Sequence, residues 1–194
     1  MKSIRFWVVV VFVLLAMPSL VRAGAPTDQL RASIDEFVAI LSNTPVAELQ
    51  ASGLPQSARR LVFARFDFSE MTKRSLGSHW KSLDQGEQDE FVEAFTQRLL
   101  VAYGKTVRSS VNEKFQFTHE IQEGPMASVE SKFVNADGDT SIDYRLHDVD
   151  GQWKVYDVVI DRVSLVNNYR AQFNRVIAKS SVQELLRKMK GQDY

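Results

Sequence analysis

The segment Trp153 to Phe173, WKVYDVVIDRVSLVNNYRAQF, passes from a strand pattern into an amphipathic helix pattern almost without a polar break. Connections between elements normally run over the surface and carry polar turn residues. Here Val158, Val159, Ile160, Val163, Leu165 and Val166 surround the bend instead. Apolar surface on that scale has to be covered by the rest of the chain, by a partner or by a ligand. The identity of the cover decides both how the chain folds and what it is for.

The residues before the bend alternate with a period of two. Val129, Ser131 and Phe133 interleave with Glu130 and Lys132, and Ile142, Tyr144 and Leu146 with Asp143, Arg145 and His147. Asp137-Gly138 and Asp150-Gly151 are dipeptides suited to tight hairpin turns. Four strands follow, at about 115–123, 126–135, 140–148 and 152–160, joined as an antiparallel meander. One face of that sheet is apolar and needs helices against it.

Helical spacing occupies the flanks. Leu30, Ile34, Phe37, Val38 and Leu41 predict a first helix ending before Pro45, and a second covers Ser57 to Ala64. Asp67 with Glu70 and Asp84 with Glu87 have the form of capping boxes. The first opens a short helix closed by Gly77; the second opens a long one with Phe91, Phe95, Leu99 and Tyr103 along one stripe. After the bend, Ser164 is placed to cap a helix bearing Leu165, Tyr169, Phe173 and Ile177. Ser181 with Glu184 opens a last one with Leu185, Leu186 and Met189 facing inward. The predicted class is α+β, a four-stranded antiparallel meander packed by N-terminal and C-terminal helices.

The first 23 residues read as a secretory signal peptide. Lys2 and Arg5 precede the uncharged apolar run Phe6 to Met17, and Val21-Arg22-Ala23 offers small residues for cleavage before Gly24. The run is shorter than the ~20 residues a membrane-spanning helix needs. Residues 24–194 then form a single domain: a helical part over 24–112, the sheet over 113–161 and a helical tail over 162–194. The chain has no cysteine, which excludes a disulfide scaffold, a thiolate metal site and a cysteine nucleophile. Losing Lys2, Arg5 and Arg22 with the leader takes 24 basic residues to 21 against 24 acidic ones, a net charge of −3. With no basic surplus to neutralise phosphates, nucleic acid is not expected as a partner.

Enzyme signatures are missing from the sequence: no Gly-x-Ser-x-Gly elbow, no His-Glu-x-x-His, no phosphate-binding glycine loop and no dinucleotide fingerprint. His79, His119 and His147 read as surface or hydrogen-bonded histidines. Asp157 stands out, lying inside the apolar run Val155 to Ile160 with an expected side shared with Trp153, Val155 and Val159. Such a carboxylate is either a general base or a structural acceptor for backbone amides or an arginine such as Arg170. The abundant aromatics, among them Phe66, Phe68, Phe91, Phe95, Tyr103, Phe133, Tyr144, Tyr169 and Phe173, either line a pocket or fill a core.

Several stretches resemble the MlaC family of periplasmic phospholipid-binding proteins. They are Phe66-Asp67-Phe68 through Leu76-Gly77-Ser78-His79-Trp80, the helix Phe91 to Tyr103, Tyr144-Arg145, Trp153 to Val158, and Val163-Ser164-Leu165-Val166 leading to Tyr169-Arg170 and Phe173. The similarity runs in order over essentially the whole chain after the leader. One departure falls at the bend: the family commonly has an acidic residue and then glycine, and this chain has Asp161-Arg162.

The resemblance implies a nuclear-transport-factor-like sheet enclosing an apolar lipid cavity, with acyl tails inside and the headgroup at the mouth. It implies a periplasmic carrier between an outer-membrane lipoprotein complex and the MCE-type subunit of an inner-membrane ABC transporter, maintaining outer-membrane lipid asymmetry. It implies no cofactor and no metal; bound phospholipid is cargo. Under that reading the cavity residues are Phe95, Leu99, Tyr103, Phe133, Tyr144, Val163, Leu165, Tyr169 and Phe173. Arg170 stands either by a headgroup phosphate or in an internal pair with Asp157 or Asp161. The alternative is an exported enzyme on the same kind of fold with Asp157 as general base.

Overall fold

The computed structural model describes residues 25–45, 47–49, 54–109, 114–135 and 138–191. The expected signal peptide, and Asp137 of the expected second turn, lie outside the described residues. Helix α1 covers Pro26–Ser42, α2 Gln56–Arg65 and α3 Phe68–Leu76, followed by a 3-10 segment Gly77–Ser82 and the long α4, Gln85–Ser109. Strands β1 (Lys114–Glu123), β2 (Met126–Asn135), β3 (Gly138–Val149), β4 (Gln152–Ile160) and β5 (Val163–Ser164) come next, then α5 (Leu165–Lys179) and α6 (Val182–Lys190). Among the described residues no helix is long and apolar enough to cross a membrane.

Local chemistry sets the helix starts. Asp84 and Glu87 form a reciprocal capping box, with the Glu87 amide donating to Asp84 Oδ1 at 2.9 Å and the Asp84 amide to Glu87 Oε2 at 3.2 Å. Asp67, Ser164 and Ser181 each accept from the amide three residues on, at 2.9, 3.1 and 3.1 Å. At the other end of α3, Gly77 takes φ 59°, ψ −125°, a conformation essentially reserved for glycine.

The sheet has five strands in the order β1-β2-β3-β4-β5, all antiparallel, where the sequence predicts four. The fifth is only two residues long, so no alternation can reveal it. It forms because Asp161 and Arg162, at φ 46° and 69°, make a two-residue hairpin that pairs Val163 with Ile160. The Asp150-Gly151 turn, with φ 52° and 82°, has the same form. Left-handed backbone is easy for glycine and strained for arginine, which accounts physically for the acid-then-glycine pattern at this turn.

A register shift in the β3–β4 pair corrects a second expectation. Arg145 is opposite Asp157 and Leu146 is opposite Val155, so Tyr156 is the extra residue of a bulge. The bulge reverses the side-chain alternation of β4. Trp153 and Val155 therefore share a core with Val158 and Ile160, and Asp157 faces the other side of the sheet. Simple alternation had put Asp157 with Trp153 and Val155.

Two cores result. One joins α3 to α6 around Phe91, Phe95, Leu99, Tyr169, Phe173 and Leu185. The other lies on the inner face of the sheet, where Leu30 of α1 meets Val129, Leu146, Trp153 and Val155. Phe66 packs against both. It also bridges to Val155 in parallel, and the Asp67 amide donates to the Val155 carbonyl at 2.9 Å, so the α2–α3 link is tied along β4.

Candidate functional site

The bend is held by Asp157, which is 2% exposed. Its Oδ2 accepts from the Ser164 hydroxyl at 2.6 Å and from Arg145 Nη1 at 3.1 Å, and its Oδ1 accepts from the Val166 amide at 3.1 Å. One carboxylate thereby joins β3, β4 and the first turn of α5. A buried charge keeps its place only when paired and hydrogen-bonded, and all three contacts do that here. The guanidinium that pairs with it is Arg145, not Arg170. Arg170 is exposed, lies over Gly77 and donates from Nε to the Arg74 carbonyl at 2.8 Å. Asp161 bonds the Ser141 amide at 3.1 Å. Neither anticipated acidic partner of Arg170 is its partner.

Between the helices and the inner face of the sheet lies a cavity of about 510 Å³. Its helical walls come from α1 (Leu30, Ile34, Phe37, Val38), α2 (Leu61, Val62), α3 (Phe68, Met71) and α4 (Leu99, Leu100, Tyr103), with Phe66 between α2 and α3. Phe115, Phe133, Ile142, Tyr144, Val158 and Ile160 form the sheet wall, and Leu165 closes the bend. The lining is overwhelmingly apolar, and the cover for the bend is thus in part protein and in part an open chamber.

Five of the ten residues anticipated from sequence border this chamber: Leu99, Tyr103, Phe133, Tyr144 and Leu165. The other five do not. Phe95, Tyr169 and Phe173 pack on one another in the helical core, with Phe95 centroids 4.9 Å from Tyr169 and 5.4 Å from Phe173. Phe95 is covered by α5, whereas Leu99 and Tyr103, one and two turns further along α4, reach the chamber. Val163 is 57% exposed on the short fifth strand, and Arg170 lies outside on α5.

Sequence reasoning missed the α1 and α2 walls. The α1 stripe was visible as an apolar face, but nothing local distinguishes a face that meets side chains from one that meets a void.

Polar groups at the cavity are few. Arg65 is its only lining cation among the described residues. It donates from Nε to Ser33 Oγ at 2.9 Å, and from Nη1 to Gln29 Oε1 at 3.1 Å and to the Trp153 carbonyl. Gln29 in turn accepts from the Trp153 amide at 3.0 Å and donates to the Gly151 carbonyl at 3.0 Å. This network ties α1 and α2 to the start of β4. Burial away from water lowers the Arg65 pKa. Desolvation raises the Tyr103 phenol, with the neighbouring Tyr169 adding to the shift. Burial raises the Tyr144 phenol strongly. Asp157 does not border the cavity, and both its oxygens are engaged at the bend.

An antiparallel sheet wrapped on one side by helices, with an apolar chamber between the layers, defines an α+β class. A solved structure of that class, a phospholipid-binding protein from Ralstonia solanacearum in complex with a phospholipid, superposes with a TM-score of 0.78 at 23% identity, covering 87% of this chain and 97% of that one. Residues 31–191 match the family model described as MlaC protein, and the chain belongs to the MlaC family. A curated relative, the intermembrane phospholipid transport system binding protein MlaC of Haemophilus influenzae, is 25% identical over 120 residues. That match spans 59% of this chain and 56% of the relative.

Proposed function

We propose that this protein is a periplasmic phospholipid carrier. Exported by cleavage of a signal peptide at residues 1–23, it takes phospholipid between the MCE-type subunit of an inner-membrane ABC transporter and an outer-membrane lipoprotein complex, and so helps maintain outer-membrane lipid asymmetry. The observation that carries this reading is the apolar chamber of about 510 Å³ between helices and sheet, in a chain of the MlaC family. Acyl tails occupy the chamber, and Leu99, Tyr103, Phe133, Tyr144 and Leu165 contact them.

The physical need for such a chamber is large. At ~0.8 kcal/mol per buried methylene, two tails of about 14 methylenes each cost roughly 20 kcal/mol to expose to water. A carrier that matches this burial does not release its cargo spontaneously into solution, so loading and release occur at contact with a partner. The sequence carries no phosphate-binding glycine loop, and energy and direction come from that partner.

The test is extraction from a membrane. Delipidated mature protein is incubated with vesicles containing radiolabelled phosphatidylglycerol, the vesicles are sedimented, and label is counted in the supernatant. The carrier reading expects label to leave with the protein in proportion to its concentration. Label that stays with the vesicles at every concentration contradicts it.

A further inference from the structure

Tyr144 borders the cavity and is 8% exposed, yet among the described residues no group bonds its hydroxyl. The lining's cation is paired within the protein, Arg65 with Ser33, Gln29 and the Trp153 carbonyl, and Tyr103 has Tyr169 as its neighbour. Tyr144 lies in the middle of β3 with its Cα opposite Val129 on one side and Val158 on the other. Val129 belongs to the fully buried sheet core and Val158 to the lining, so Tyr144 stands where core gives way to chamber.

Among the described residues the buried side-chain atoms without a partner are Thr27 Oγ1 and Ser75 Oγ, so the Tyr144 hydroxyl keeps some accessible surface, and at the cavity wall it presents a donor that phenylalanine of the same shape would lack. An ordered water is a poor partner, because it needs two to four polar partners of its own and the neighbouring lining is apolar. An acceptor carried in with the ligand would pair this donor. Hydrocarbon offers none, but the ester carbonyl at the head of each acyl tail is a good acceptor.

Resting on the phospholipid reading above, we propose that the Tyr144 hydroxyl donates a hydrogen bond to an ester carbonyl of the cargo. The lipid then seats down to its glycerol level, and the cavity selects ester-linked over ether-linked lipids. Tyr144 is a specificity-determining residue in addition to being part of the wall.

The experiment measures displacement of a fluorescent phospholipid from delipidated protein by dipalmitoyl phosphatidylglycerol and by its dihexadecyl ether analogue. The native chain is compared with Tyr144→Phe, which keeps volume and apolar contact. The native chain is expected to favour the diester about tenfold, the scale of one hydrogen bond made in an apolar site. Tyr144→Phe is expected to bind the diether as well as the native chain does and to lose the preference. Equal binding of both lipids by the native chain, or a preference that survives in Tyr144→Phe, overturns the inference and leaves the carrier reading standing. A native chain that binds neither lipid overturns the carrier reading, and this inference falls with it.

Discussion

Asp157→Asn keeps the volume of the side chain at the bend but removes the charge opposite Arg145, and it offers one acceptor where three donors now meet two. Losing charge-assisted bonds inside a buried site costs about 2–3 kcal/mol. Urea unfolding of the variant is expected to show that loss; a change below about 0.5 kcal/mol would mean that the bend does not depend on this carboxylate. Tyr144 gives a second test at this scale, through alkaline pH. Its phenol is raised above the ordinary value of 10.0 by burial, so the folded state holds its proton after the unfolded chain has released it. That stabilisation is complete below pH 10 and is lost as pH rises beyond it toward the folded value. Stability should therefore decline on the alkaline side of pH 10, and Tyr144→Phe should flatten the decline while the smaller contribution of the raised Tyr103 persists.

Elements were legible in the sequence wherever neighbouring residues alone decide their geometry. The pairs Asp84/Glu87 and Ser181/Glu184 announced helix starts because the capping atoms lie within one turn of each other. Asp150-Gly151 announced its hairpin because its left-handed backbone favours that dipeptide. The Tyr156 bulge was not legible, since it depends on how two strands align, and missing it put Asp157 on the wrong side of the sheet. The division of the long aromatic stripe was equally hidden: Phe95 and Leu99 share a face of α4, and only the position of α5 decides which of them reaches the chamber.

The turn at Asp161-Arg162 tests the element scale directly. Arg162 at φ 69° carries strain that glycine would not, so Arg162→Gly is expected to raise stability by about 0.5–1 kcal/mol. Arg162→Val, β-branched in the same conformation, is expected to lower it by about 1 kcal/mol or more. Thermal melts of the pair check this, and a shift in the same direction for both would show that backbone conformation is not what matters there.

For the whole molecule, the arrangement separates holding from hosting. The helical core around Phe91, Phe95 and Phe173 packs fully without any ligand, while α1 and α2 meet the sheet across an open chamber and are tied to it by the polar network of Arg65 and Gln29. A fold of this kind does not need a ligand in order to have a core, which suits the proposed role as a carrier that exists both loaded and empty. Leu99 stands at the boundary, part of the helical core and part of the chamber wall. Filling the chamber from that position should exclude cargo at modest expense to the fold; overpacking costs typically about 1–3 kcal/mol.

Native mass spectrometry of the mature protein after gentle purification, alongside Leu99→Trp, addresses the central claim most directly. The account predicts that the native chain carries a mass increment corresponding to bound phospholipid, at about one lipid per chain. It predicts that folded Leu99→Trp carries markedly less. A native chain that emerges empty, or a folded Leu99→Trp with unchanged lipid content, would contradict the assignment of this cavity as the phospholipid site.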